Sequence, residues 1–171
     1  MRAYDAANDH HDFEDADDDD ATSACKVGLT PTENLLFAAL RGWASARIGG
    51  ARPHPAVTSA LARRTSPRSA SLFIAWAQAV EKVSRRPLQL TCPGCGGVST
   101  DAQRLIVACG VAPVDPMIAE ALLNPILRDP TAVVLLGRSL NASLAADGWR
   151  LPVRLAEDQA HSSSPQPVTR H

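Results

Sequence analysis

A chain of 171 residues that is 45% hydrophobic but only 4% aromatic is long enough for one domain, with a core drawn mainly from Ala, Leu, Val and Ile. That composition favours helices over an all-β core, which leans on β-branched and aromatic side chains. The formal net charge of −1 conceals two opposite parts: residues 1–20 hold Arg2 against nine acids, net −8, and the rest holds 16 Lys/Arg against 9 Asp/Glu, net +7.

Residues 1–29 show almost no apolar periodicity, and the block Asp15–Asp20 packs five aspartates together. Such a stretch buries too little apolar surface to offset its ordering entropy, so 1–29 is expected to be a disordered acidic tail. Its polar, acidic start lacks the basic and apolar regions of a secretory signal, and the longest apolar runs, Leu35–Leu40 and Ala132–Leu136, are too short for a bilayer. The expectation is a cytoplasmic protein without a membrane partner, its four cysteines reduced. Tyr4 and Phe13 are potential anchors within the tail, and the His10-His11 pair among aspartates reads as part of a solvated acidic segment.

A helical domain is expected over 30–155. Thr30-Pro31-Thr32-Glu33 combines a cap, a first-turn proline and a capping-box acid. Leu36, Phe37, Leu40, Trp43, Ala44 and Ile48 then form a broad apolar stripe that ends at Gly49-Gly50. A proline loop, Arg52–Pro55, precedes a short helix near Ala56–Arg64. Ser66-Pro67 opens a longer one with Phe73, Trp76, Ala77, Val80 and Val83 on one face, stopped by Arg86-Pro87. Leu88–Thr91 reads as extended, Cys92–Gly97 as a tight turn, and Asp101–Cys109 as a helix closed by Gly110. Asp115-Pro116 and Asp129-Pro130 start two more helices, the last closed by Gly148. The predicted fold is all-α, an irregular bundle of about six helices with a short extended CxxC turn. Residues 156–171, rich in Ser and Pro, are expected to form a disordered C-terminal tail.

Two features point to binding. Cys92-Pro93-Gly94-Cys95 supplies two thiols from a tight turn, half of a zinc ribbon or knuckle. Cys109 is a candidate third ligand, although its place four residues after Leu105, on the expected buried face, favours a small buried hydrophobe. The same CxxC has a redox reading, weakened by the lack of a βαβ pattern. In the second feature, residues 41–86 carry nine Lys/Arg against Glu81 alone. Within them Arg63, Arg64, Arg68, Arg85 and Arg86 are candidates to bind nucleic acid or an acidic partner, this chain's own acidic tail included. Ala56–Lys82 has a helix-turn-helix outline, but the near-continuous apolar run Leu72–Ala77 makes its second helix a core helix rather than a groove reader. No phosphate loop, HExxH or GxSxG is present, and the acids of the folded part sit mostly at helix starts.

The order of elements resembles a group of small all-helical alphaproteobacterial proteins with no assigned activity. The residues that carry the likeness are Glu33–Ile48, Phe73–Arg86 ending in Arg-Arg-Pro, Cys92–Cys95, Asp101–Cys109 and Ala146-Asp147-Gly148…Leu151-Pro152, over about 33–153. The resemblance implies no catalytic residue. The Ala- and Arg-rich composition also suits a GC-rich bacterial genome. The reading is a non-enzymatic helical interaction or regulatory module for a protein partner, its CxxC turn held by zinc; a nucleic-acid-associated protein or a thiol redox protein is the alternative.

Overall fold

The structure, a computed structural model, describes residues 28–91 and 97–154. The tails expected over 1–29 and 156–171 therefore lie almost wholly outside the described residues, as does most of the Cys92–Gly97 turn. Within the described residues the fold is an all-α bundle of six helices: α1 (Pro31–Ile48), α2 (Pro53–Ala62), α3 (Pro67–Val83), α4 (Thr100–Val111), α5 (Pro116–Leu123) and α6 (Thr131–Ala146). α1 packs on α2 and α4, α3 on α2 and α6, and α4 on α5 and α6.

Local capping explains most helix starts. Thr30 Oγ1 accepts from the Glu33 N–H at 3.3 Å while Glu33 Oε2 accepts from the Thr30 N–H at 2.7 Å, a reciprocal capping box with Pro31 in the first turn. Ser66, Ser99 and Asp115 cap α3, α4 and α5 through their side chains. α1 and α6 share one kind of ending. Gly50 (φ 68°) and Gly148 (φ 86°) adopt the left-handed conformation, and the next N–H in each, Ala51 and Trp149, reaches back to Ala46 O and Leu144 O.

Several boundaries differ from expectation. α2 begins at Pro53, not Ala56, because its first N–H groups have no helical partner and two prolines cost little there. α2 also ends at Ala62, before the Arg63-Arg64 pair. α3 ends at Val83, three residues before Arg86, because the chain leaves the helix to pair with the α5–α6 connection. Arg85 N–H donates to Ile126 O, Arg128 N–H donates to Val83 O, and Ser84 bridges Leu127 antiparallel. α6 begins at Thr131, with Pro130 already helical and Asp129 Oδ1 accepting from the Thr131 N–H at 3.2 Å.

Gly110 does not close α4, which continues through it to Val111. The reason is close approach: a Cβ there would stand 2.5 Å from the backbone oxygen of Pro152. Residues 151–154 thus run across α4, and they end where Arg154 meets Glu33 and the Gly28 carbonyl.

Phe73 and Trp76 of α3 lie at the centre, packed with Leu36, Leu105, Leu140 and Leu144. The apolar run in α3 is core, as its composition requires. The stripe of α1 does not extend to its end, since Ile48 is 89% exposed. Trp149 folds back, half-buried, with its Nε1 donating to Arg64 O at 2.8 Å.

Candidate functional site

Cys92 and Cys95 fall outside the described residues. Their flanks do not: Thr91 and Val98 form an antiparallel bridge, and Ser99 N–H donates to Leu90 O at 3.4 Å while its hydroxyl donates to Gln89 O. The two strands of chain leading into and out of 92–97 are therefore held side by side. Cys109 is a core residue, 2% exposed, with its thiol donating to Gly137 O at 3.4 Å. Burial pushes that thiol up to about 12, which keeps it protonated, the form that does not ligate metal. Among the described residues no group of three or more His, Cys, Asp or Glu comes together.

The five candidate arginines divide. Arg85 Nε donates to Asn124 O at 3.1 Å and to Leu127 O at 2.8 Å, clamping the α5–α6 connection. Arg86 makes a two-pronged pair with Asp101, at 2.8 and 2.9 Å, and Asp101 also accepts from the Gln89 N–H. Asp101 is 5% exposed, so this pair fastens segment 86–89 to the first turn of α4. Arg63, Arg64 and Arg68 are exposed and make no ion pair among the described residues.

A concavity lies beside Arg86. A groove of about 570 Å³ opens between the second half of α1, the last turns of α3 and segment 84–90. Its floor is Leu40, Trp43, Ala77, Val80 and Leu105. A neighbouring hollow of about 450 Å³ shares Ala44, Ile48, Leu88 and Leu90 with it and runs on to Thr91, the residue before the CxxC. The surface is thus continuous from the core to the base of that turn.

Charge borders this apolar floor. Glu81 Oε1 accepts from Trp43 Nε1 at 2.7 Å, and Arg47 adds two bonds to the same carboxylate, at 3.0 and 2.8 Å. The hydrogen bond from Arg47 to Glu81 raises the arginine further above its ordinary value, so the rim cation is permanent. Arg47 also stacks on Trp43, at 5.5 Å from the ring centroid, and Arg41 on Phe37 at 5.8 Å. Arg86 lines the far wall. Arg47 and Arg86 are thus paired with Glu81 and Asp101, and Arg41, on the adjoining hollow, has no ion pair among the described residues.

No family model, curated protein or solved structure matches this chain.

The Trp43–Glu81–Arg47 cluster escaped the sequence reading, yet part of it was visible there. Trp43 and Arg47 stand four apart on one helix, the spacing at which side chains meet, and Glu81 is the lone acid of residues 41–86.

Proposed function

We propose that this protein is a non-enzymatic helical interaction module that docks an acidic polypeptide segment with apolar anchors in the groove between α1 and residues 84–90. The reading rests on one observation: an open groove of about 570 Å³ has an apolar floor and a polar rim of Arg47, Glu81 and Arg86, with Arg41 on the adjoining hollow. The charge of the whole described region agrees, with 14 Lys/Arg against 7 Asp/Glu. Of the seven acids, Glu33, Glu81 and Asp101 are ion-paired, and Asp115, Asp129 and Asp147 accept backbone N–H groups. Apolar anchors in a pocket supply affinity, and rim charges supply selectivity and association rate. The test is a resonance-by-resonance titration of the full chain with a synthetic peptide of alternating Asp and Phe, carried to millimolar. Saturable shifts at Ala44, Ile48, Leu88 and Leu90, weakened by salt, are expected; no shift at those residues overturns the reading.

The zinc-held turn belongs to the same proposal. The side-by-side flanks Thr91 and Val98 support it, because a knuckle presents two cysteines from such a closed loop. The ligands from this chain are then Cys92 and Cys95, without Cys109. Native mass spectrometry of reduced protein is expected to find one zinc per chain, lost in Cys92→Ser/Cys95→Ser; its absence from both removes the metal.

The nucleic-acid reading keeps Arg63, Arg64 and Arg68, exposed about the α2–α3 junction, but draws less on Arg85 and Arg86, which are engaged internally. Affinity for duplex DNA or RNA that falls steeply with salt and is lost in the Arg63/Arg64/Arg68→Ser variant would favour it over peptide docking.

A further inference from the structure

We infer that residues 1–20 of this chain are the groove's resident occupant, a self-docking segment that an external acidic partner must displace. This deepens the docking reading above and rests on it.

Charge complementarity is the first ground. Residues 1–20 hold nine acids and one arginine, and the described residues hold twice as many cations as acids. The acids near the groove are already used: Glu81 by Arg47 and Trp43, Asp101 by Arg86 and the Gln89 N–H. An incoming carboxylate therefore meets Arg41, which has no ion pair among the described residues, beside Arg47 and Arg86, which already hold Glu81 and Asp101.

Reach is the second. Residue 28 lies beside the start of α1, held through its carbonyl by Arg154. Arg41 and Arg47 stand about 15 and 24 Å further along that helix at its rise per residue. The eight-residue step from Asp20 to residue 28 spans up to about 27 Å when extended. That length lets Asp15–Asp20 reach Arg41 and Arg47.

Anchors are the third. Tyr4 and Phe13 are the only aromatic residues before α1; Asp5, Asp9 and Asp12 lie between them, and Glu14 and the Asp15–Asp20 block follow, so apolar anchors and acids alternate along one segment. The groove has an exposed lip in Ile48 and a side wall in Leu88 and Leu90 to receive them. Covalent linkage raises the local concentration of such a segment to about the millimolar range, so a weak contact suffices to fill the site.

The experiment compares two full-length chains: the unaltered protein and one with Asp15, Asp17, Asp18, Asp19 and Asp20 all changed to Asn. The probe is a fluorescein-labelled synthetic peptide of residues 1–20, its binding read by anisotropy at low salt. The inference expects the neutralised chain to bind about tenfold more tightly than the unaltered one, which already holds its own segment. Ile48→Asp and Arg41→Glu, both at exposed positions, are expected to abolish that gain. Equal affinity of the two chains overturns the inference while leaving the docking reading intact. Binding by neither chain up to millimolar probe overturns both. A gain that survives Ile48→Asp and Arg41→Glu places the segment on another surface and overturns the inference.

Discussion

Arg154 holds Glu33 from 121 residues away: its Nε lies 2.7 Å from Glu33 Oε1 and a terminal nitrogen lies 2.8 Å from Oε2. Glu33 is 2% exposed, so one carboxylate serves as cap of α1 and as tether for the segment that crosses α4. Burial acts to raise this carboxyl, but the Arg154 hydrogen bonds and the Thr30 N–H together hold it below its ordinary value of 4.5. Removing the guanidinium with Arg154→Ala leaves a buried, half-satisfied carboxylate and is expected to cost about 3 kcal/mol in urea unfolding. Because the folded state favours the carboxylate, the stability it adds is present above pH 4.5 and lost as pH falls through the lower folded value. The acid limb of the stability profile should therefore flatten in Arg154→Ala.

Two glycines within helices should respond in opposite ways to alanine. Gly42 in α1 has nothing within 4 Å of where a Cβ would lie, so Gly42→Ala is expected to stabilise by about 1 kcal/mol through helix propensity. At Gly110 the new methyl would press on Pro152 O, and overpacking of about 1–3 kcal/mol outweighs the propensity gain. Thermal melts of the two variants read the difference directly.

Cys109 should be the last thiol to react. Its folded form keeps the proton up to about 12, whereas an unfolded cysteine releases it near 9.0. The unfolded state therefore gains stability on deprotonation between those values, and the fold should weaken by up to about 1.4 kcal/mol per pH unit across that window. Alkylation at neutral pH, followed by mass spectrometry, should leave Cys109 unmodified until denaturant is added. Early labelling of Cys109 would contradict its place in the core.

Asp147 ties the end of α6 to the start of α3. It accepts from Ser69 Oγ at 2.6 Å and from Ser66 N–H and Oγ at 2.8 and 2.9 Å, and Ser69 Oγ lies 2.8 Å from Ser143 Oγ. The Ser69 and Ser66 hydrogen bonds lower its carboxyl below the ordinary value, so the contribution is present at neutral pH and lost on acidification. Asp147→Ala is expected to lower the melting temperature at pH 7 by more than at pH 3, with amide exchange quickening first at Ser66 and Ser69.

What could be read from the sequence was what is local. Thr30, Ser66, Ser99 and Asp115 cap within three residues of themselves, so their helices announce themselves in the order of amino acids. The groove is another matter. Ile48 continues the apolar spacing of α1 yet stands in the open, because nothing in spacing alone says that the neighbouring segment 86–90 stops short of it. Arg85 and Arg86 look like free cations until their partners, Leu127 and Asp101, are brought in from distant parts of the chain. Gly110 reads as a helix stop for the same reason, since its true neighbour is Pro152.

The contact of Arg154 with the carbonyl of Gly28 places the entry and exit of the bundle at one spot. A short Gly-Ser linker between those points, with new ends opened at the exposed Pro113–Val114 turn, should give a circularly permuted bundle that still folds. For the same reason the bundle is suited to grafting into a surface loop of a host protein, where both junctions need bridge only a small gap.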